Sequence, residues 1–257
     1  MGRLDEGHAE ARRNRQLPGT ANPADFSEAL ARGISVLLAF NSQRKRMTQA
    51  ELARELDLSR ATVRRAVLTL EHLGYLVADG RTYELTPQVL RLTEAYLTSN
   101  VVSTVLQPTC DRICNYLKAS CSAAVLDGSD AVMIARSTPQ PLLMVGSGVG
   151  YRIPARTSAL GKVLLAHCDS THAATAVGAA LDGETLQEIR DAGYCYVAND
   201  VEAGFHSIAV PIRRWDGRVI AALNVGASLK QPSQEEMLGE VFEMLKLHAD
   251  ELQRQLV

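Results

Sequence analysis

Residues 48–65 read Thr48-Gln49-Ala50-Glu51-Leu52-Ala53-Arg54-Glu55-Leu56-Asp57-Leu58-Ser59-Arg60-Ala61-Thr62-Val63-Arg64-Arg65. Thr48 followed three residues later by Glu51 is a capping box, so a helix starts there. It is short, with Leu52, Ala53 and Leu56 turned inward. Asp57-Leu58-Ser59 is a tight turn, and Ser59 caps the next helix. That helix runs from Arg60 to about Leu73 and buries Val63, Ala66/Val67 and Leu70. Its opposite face carries Arg60, Ala61, Arg64 and Arg65 near the N-terminal end, with Thr62 beside them. A short helix, a three-residue turn and a second helix with a basic start form a helix-turn-helix, whose second helix enters the major groove. Guanidinium groups suit that place because each bridges two acceptors on guanine or clamps a phosphate. Positive charge at a helix N-terminus opposes the macrodipole by up to about 1 kcal/mol, so folding alone gives no reason for the cluster.

Downstream, Tyr75–Ala78 and Arg81–Leu85 are β-prone runs joined by Asp79-Gly80, the signature of a type I′ hairpin. A hairpin directly after a recognition helix is a wing, and Arg81 near its tip reaches a phosphate or the minor groove. Upstream, Phe26, Leu30, Gly33/Ile34 and Leu37 mark a helix with one buried stripe, ending near Phe40. The ordered set of three helices and a hairpin is a winged helix-turn-helix, with Thr48, Gln49, Ser59, Arg60, Thr62, Arg64, Arg65 and Arg81 as candidate DNA contacts. Thr86-Pro87 then opens a helix through Leu90, Thr93/Glu94 and Leu97 to about Ser99-Asn100. It reads as a connector whose apolar stripe also suits pairing with its twin in a dimer.

The chain of 257 residues is comfortable for two domains. Its net charge of −2 taken alone argues against a nucleic-acid partner. The distribution reverses that: residues 1–91 hold 14 Lys/Arg against 11 Asp/Glu, and the remainder 13 against 18. Residues 41–65 hold seven basic residues against three acids. A basic segment ahead of an acidic remainder fits an anionic partner for the first part, although charge alone is equally consistent with a solvated helix face. No apolar run reaches the roughly 20 residues that a bilayer requires, and residues 1–19 lack a signal-peptide core. The expectation is a cytoplasmic protein whose five cysteines are reduced thiols. The expected organisation is a disordered arm over 1–24, a winged helix-turn-helix over 25–86, a linker helix over 87–104 and an effector-binding domain over 105–257.

In that last part, Cys110, Ile113 and Leu117 mark a helix, and Cys121–Leu126 and Ala131–Ala135 read as a hairpin turning at Asp127–Asp130. Pro139–Gly150 is irregular and Gly-rich, and Tyr151–Pro154 reads as extended. Thr157-Ser158 opens a helix over Ala159–His167, and a further helical region covers roughly Ser170–Ala192. Strands follow at Ser207–Arg213 and Val219–Val225. Ser233–Glu236 is a second capping box, before a helix with Leu238, Val241, Leu245, His248 and Leu252 inward. Hairpins flanked by helices imply an α+β sheet with a pocket beneath its connecting loops.

Several motifs fail on inspection. Gly146–Gly150 is followed by no helix, which excludes a dinucleotide loop. No G-x-S-x-G elbow exists, so Ser158 and Ser207 read as caps or pocket donors. Cys110 and Cys114, and His167, Cys168 and His172, lack a second pair at zinc spacing. The reading therefore includes no catalytic residue, no metal and no cofactor. His206 reads as a solvated strand residue.

Thr48-x-x-Glu51-Leu52-Ala53, Leu58–Arg65, Leu70-x-x-Leu73-Gly74-Tyr75 and Leu85-Thr86-Pro87-x-Val89-Leu90-x-Leu92 resemble the DNA-binding half of the IclR family of bacterial transcriptional regulators. Pro154-Ala155-x-Thr157-Ser158-x-x-Gly161-Lys162-x-Leu164-Leu165-Ala166 and Ser207–Ile212 are similar to its effector domain. The resemblance spans about residues 26–250 and looks most like the branch regulating protocatechuate and 4-hydroxybenzoate catabolism. It implies an α+β two-domain protein: a winged helix-turn-helix, a linker helix and a GAF-like effector domain. It also implies a homodimer or dimer of dimers on palindromic double-stranded operator DNA, with no membrane partner. Family pocket positions fall on the loop around Leu142, Met144 and Val145, on Ile153, Ala159 and Leu160, and on Ser207 and Asn224. A helix start at Ser158 offers N–H groups to a carboxylate. Either Arg136, at a strand end, or Arg156, beside that start, would supply a cation. The family usually has an Asp six residues before the glycine that is Gly204 here, whereas this chain has Ala198, with Asp200 and Glu202 nearby. Two rival readings stand beside this one: an enzyme acting on a small carboxylate with an N-terminal interaction domain, and an architectural DNA-binding dimer with an empty second domain.

Overall fold

The computed structural model describes residues 25–99, 101–139, 148–168 and 181–256. The arm expected over 1–24 lies outside them. The chain divides into two compact units, one up to Leu90 and one from Arg91.

The first unit contains helix α1 (Glu28–Leu38), strand β1 (Met47–Thr48), helices α2 (Gln49–Glu55) and α3 (Arg60–His72), and strands β2 (Leu76–Asp79) and β3 (Thr82–Leu85). Thr48 caps α2 in a complete capping box with Glu51, and the Ser59 side chain accepts from the Thr62 N–H to start α3. Asp57 takes a positive φ of 50° in the turn between them, which a short polar side chain tolerates. Val36, Phe40, Met47, Leu52, Val63, Val67, Leu70 and Leu76 form one core.

Two expectations need correction. Of the stripe expected on α1, Phe26, Leu30 and Ile34 are exposed, at 40, 65 and 49%, and only Leu37 packs on the core, beside the buried Val36, Ala39 and Phe40. The helix is apolar on more than one side, and periodicity does not say which side meets α3. In the wing, Asp79 pairs with Thr82, so the loop is Gly80-Arg81 and not Asp79-Gly80. Only Gly80 has a positive φ, 64°, which is the type II′ pattern rather than I′. β1 was not anticipated, because its two residues are set only by pairing with β3 (Met47 with Tyr83, Thr48 with Thr82).

After a 3₁₀ turn over Pro87–Val89, capped by Thr86, come helix α4 (Leu90–Ser99) and helix α5 (Val101–Leu117). Where a connector over 87–104 was expected, there are thus a turn and two helices, the second continuing deep into the second unit. Among the described residues no helix is long and apolar enough to cross a membrane.

The second unit is built on a six-stranded antiparallel sheet in the order β6-β5-β4-β9-β8-β7. Its strands are β4 (Ser120–Asp127), β5 (Asp130–Ser137), β6 (Arg152–Pro154), β7 (Cys195–Ala198), β8 (Phe205–Arg213) and β9 (Val219–Ser228). Helices α6 (Ala159–His167) and α7 (Gly183–Ala192) cover one face, and α5 and α8 (Phe242–Gln253) the other. Strand alternation sorts the side chains: Ile208, Val210, Leu223 and Val225 pack with α5 and α8, whereas Ala209 and Ala222 pack with α6. Cys110, Cys114, Cys121 and Cys195 are buried thiols, and Cys168 is partly buried.

The same alternation corrects the reading of His206. It points to the α5/α8 face, is fully buried, and its Nδ1 lies 2.9 Å from the Tyr196 hydroxyl. β7 was not foreseen, and of the helical region expected over 170–192 only α7 falls within the described residues. Before α8, a π turn over Met237–Val241 shifts the helical phase, so Met237 is buried in place of Leu238; within α8, Ala249 is buried in place of His248.

Gly161 fixes how α6 sits. A Cβ there would land on the backbone of Ala155, the residue four before the helix begins. Gly161→Ala is expected to destabilise the second unit at or above the upper end of the roughly 1–3 kcal/mol range for overpacking, measured by urea denaturation. A cost below about 0.5 kcal/mol would disprove the close approach.

Candidate functional site

On α3, Arg60, Arg64 and Arg65 are exposed, as is Arg81 in the wing loop. Among the described residues none of these four has an ion-pair partner. The other arginines of the basic segment differ. Arg44 pairs with Glu55. Arg46 binds Asp79 and Glu84, each at 2.8 Å, clamping the two wing strands, and these carboxylates raise its pKa, the bond to Glu84 foremost. These arginines therefore separate into those paired internally, Arg44 with Glu55 and Arg46 with the wing, and those left facing solvent, Arg60, Arg64, Arg65 and Arg81. The neutral candidates belong mainly to the frame. Thr48 Oγ1 is engaged with Glu51 in the capping box. Gln49 Nε2 donates to the Tyr83 hydroxyl at 3.0 Å, tying α2 to β3. Ser59 and Thr62 hydroxyls bond each other at 2.9 Å.

In the second unit a polar row crosses the α6 face of the sheet. Arg136 on β5 is paired with Ser122 on β4, and Ser122 with Asn224 on β9. Asn224 is opposite Ala209 on β8, and one step along, Gly226 is opposite Ser207. Directly opposed residues in an antiparallel sheet share a face. A bulge makes this possible. Ala123 pairs with Ala135 and Ala124 with Met133, leaving Ile134 as the extra residue. Met133 and Arg136 consequently lie on the same face, although three residues apart, and Arg136 Nη1 donates to Met133 Sδ at 2.9 Å. Bulges re-aim side chains in this way beside functional sites.

Among the described residues, two buried polar atoms in this row have no hydrogen-bond partner, Arg136 Nε and Asn224 Oδ1. Burial lowers the pKa of Arg136, against a weaker opposing influence from Tyr151. Ser122 and Ser207 are 3 and 4% exposed. Apolar surface adjoins the row: Met133, Ala159 and Leu160 belong to one buried cluster against which Ile153 packs. Sequence reading missed Ser122; a serine inside a run of small and apolar strand residues was its only signal.

The remaining candidates are placed differently. Ser158 donates to the Pro154 carbonyl at 3.3 Å and accepts from the Gly161 N–H at 3.1 Å, so its hydroxyl shapes the start of α6. Arg156 is exposed. Leu142, Met144 and Val145 lie outside the described residues. Lys162 pairs with Asp200 at 2.9 Å. A cavity of about 540 Å³ opens at the other end of α6, among Val125, Leu126, Leu164, His167, Val219 and Ile220. It does not touch the row, and both ring nitrogens of His167 there have partners, the Val163 carbonyl and the Arg213 guanidinium. The orphaned atoms make the row, not the cavity, the candidate site.

Residues 29–80 match the model of the IclR helix-turn-helix domain, and residues 94–254 that of the bacterial transcriptional regulator IclR C-terminal domain. The chain belongs to the IclR family of bacterial transcriptional regulators. This IclR-family protein is 38% identical over 252 residues to the Pca regulon regulatory protein of Pseudomonas putida, covering 92% of this chain and 86% of that one. It is 32% identical over 249 residues to the p-hydroxybenzoate hydroxylase transcriptional activator of Acinetobacter baylyi, covering 89 and 91%. A solved IclR homolog from Microbacterium hydrocarbonoxydans, complexed with 4-hydroxybenzoate, superposes with a TM-score of 0.72 at 26% identity, covering 89 and 99%. The relatives are regulators, so this IclR-family chain is a DNA-binding transcriptional regulator and not an enzyme.

Proposed function

We propose that this regulator acts in the cytoplasm on a catabolic operon, binding a palindromic operator as a homodimer or dimer of dimers under the control of a small aromatic carboxylate. Arg60, Arg64, Arg65 and Arg81 contact the DNA, and Thr48, Gln49, Ser59 and Thr62 hold the elements that present them. The effector lies on the polar row. The observation that carries this reading is the pair of orphaned buried atoms, Arg136 Nε and Asn224 Oδ1. A buried donor without an acceptor and a buried acceptor without a donor each cost about 1–3 kcal/mol, which a ligand with a carboxylate and a hydroxyl removes. The carboxylate sits against Arg136 and the hydroxyl against Asn224, with Ser122 and Ser207 as further partners and Leu160 and Ile153 beside the ring. Arg156, being exposed, gives way to Arg136 as the cation. The 4-hydroxybenzoate held by the Microbacterium homolog has this chemistry.

A melting-temperature panel of hydroxybenzoates and aliphatic keto acids tests the proposal. An effector at 100 times its Kd adds about 2.7 kcal/mol, a rise of several degrees, and no response to any hydroxylated aromatic acid would refute it. Asn224→Ala is expected to weaken effector binding by about 1–2 kcal/mol by calorimetry, leaving operator affinity of the ligand-free protein unchanged. Unaltered effector affinity would remove Asn224 from the site.

A further inference from the structure

On one edge β5 pairs with β6 as far as Val132, and Met133 continues the bonding by donating to the Tyr151 carbonyl and accepting from the Gly150 N–H. Beyond that, among the described residues, no strand pairs with the backbone of Arg136 on this edge. One side chain closes that edge. Gln107 of α5 accepts from the Arg136 N–H through Oε1 at 3.0 Å and donates from Nε2 to the Arg136 carbonyl at 3.0 Å. A primary amide carries one acceptor and a donor group in one plane, so it pairs with the strand as a peptide unit would. Nε2 donates as well to Asp111 Oδ1 at 2.9 Å, one turn further along α5, which orients the amide.

The helix is weakened next to this clamp. Pro108 lies inside α5 and has no N–H, so the helical bond to the carbonyl of Thr104 is absent. The Ser103 hydroxyl, on a residue 5% exposed, has no partner among the described residues. Prolines inside helices are where helices bend. By chain order, α5 follows α4, which follows the winged helix-turn-helix. Arg136, whose side chain is on the polar row, is therefore held by its backbone to the residue beside the proline of the helix that follows α4 in the chain.

We infer that Gln107 is the positioning residue through which an anion on Arg136 alters helix α5 and hence operator affinity. The inference rests on the pocket reading given above. A carboxylate that draws the Arg136 guanidinium shifts the local β5 backbone. The two-point amide clamp carries that shift to α5 beside Pro108. Without the clamp, the ligand still binds but the helix no longer follows.

The test uses the full-length protein, 4-hydroxybenzoate as probe and a DNA fragment selected by the protein from a random-sequence library. Three quantities are measured: probe affinity by calorimetry, operator affinity without probe, and the fold-change in operator affinity that the probe causes. Gln107→Met, similar in length but unable to form these hydrogen bonds, is expected to keep the first two within threefold of wild type and to reduce the third to less than twofold. Gln107→Glu, which still accepts from the Arg136 N–H but cannot donate, is expected to restore part of the response. It also serves if the methionine variant does not fold. A full probe response in the folded variants overturns the inference. So does a loss of probe affinity that tracks the loss of response, since Gln107 would then only build the pocket. If the wild type binds neither 4-hydroxybenzoate nor any other hydroxylated aromatic acid of the panel, the pocket reading is overturned and this inference with it, a result distinct from binding without coupling.

Discussion

Replacing both Arg64 and Arg65 with alanine is expected to weaken operator binding by about 2–6 kcal/mol if each contacts a base, since one such contact contributes about 1–3 kcal/mol. Where an arginine instead neutralises a phosphate, its removal is expected to flatten the slope of log K against log salt by about 0.9. Fluorescence anisotropy across a salt series measures both. The structure sharpens the expectation in two ways. Both side chains are exposed and, among the described residues, without an ion-pair partner, so truncating them breaks no internal ion pair. They also sit in the second turn of α3, past the first turn to which the macrodipole effect is largely confined, so losing their charge changes helix stability little. The double variant is therefore expected to melt close to the wild-type temperature while losing the operator. Retention of affinity and salt slope would reject α3 as the recognition helix. By contrast Arg46 is bound to Asp79 and Glu84 across the wing, so its replacement is expected to act through the frame.

Arg136→Met is expected to have the largest effect on the effector side. Removing one member of a buried, hydrogen-bonded charge pair costs about 2–5 kcal/mol of binding, or roughly 30- to several thousand-fold in the Kd of 4-hydroxybenzoate. Stability of the ligand-free protein should move the other way or stay level. The guanidinium is half-buried with an unpartnered Nε, and an apolar side chain of similar length removes that burden. Calorimetric titration together with denaturant unfolding separates the two effects. Full effector affinity in this variant would place the carboxylate elsewhere. Arg156→Met, at an exposed position, is the matched control and is expected to bind normally.

The DNA-reading unit was legible because its signals are local. A capping box, a turn and a cap act within a few residues of one another, and each recurs in the structure at Thr48–Glu51, Asp57–Ser59 and Ser59–Thr62. Where reading failed there, at the exposed face of α1 and the II′ wing turn, the deciding partner was another element: α3 for the helix, the β2–β3 register for the turn. The proposed effector site was legible only as a set of residue types. Ser207 and Asn224 could be nominated, whereas choosing between Arg136 and Arg156 required knowing which one is drawn inside.

Sequence by itself determined the order of the two units, the winged helix-turn-helix and the division of charge between a basic reader and an acidic remainder. Those follow from short-range capping, periodicity and composition. The tertiary structure alone decided that Ile134 is a bulge residue. That one extra residue turns Arg136 to the face carrying Ser122 and Asn224, because strand side chains alternate with period two and a single insertion reverses every residue beyond it. It alone also brought Gln107 from 29 residues away onto the open edge of β5, since an unpaired strand edge is closed by whatever donor and acceptor the fold places beside it.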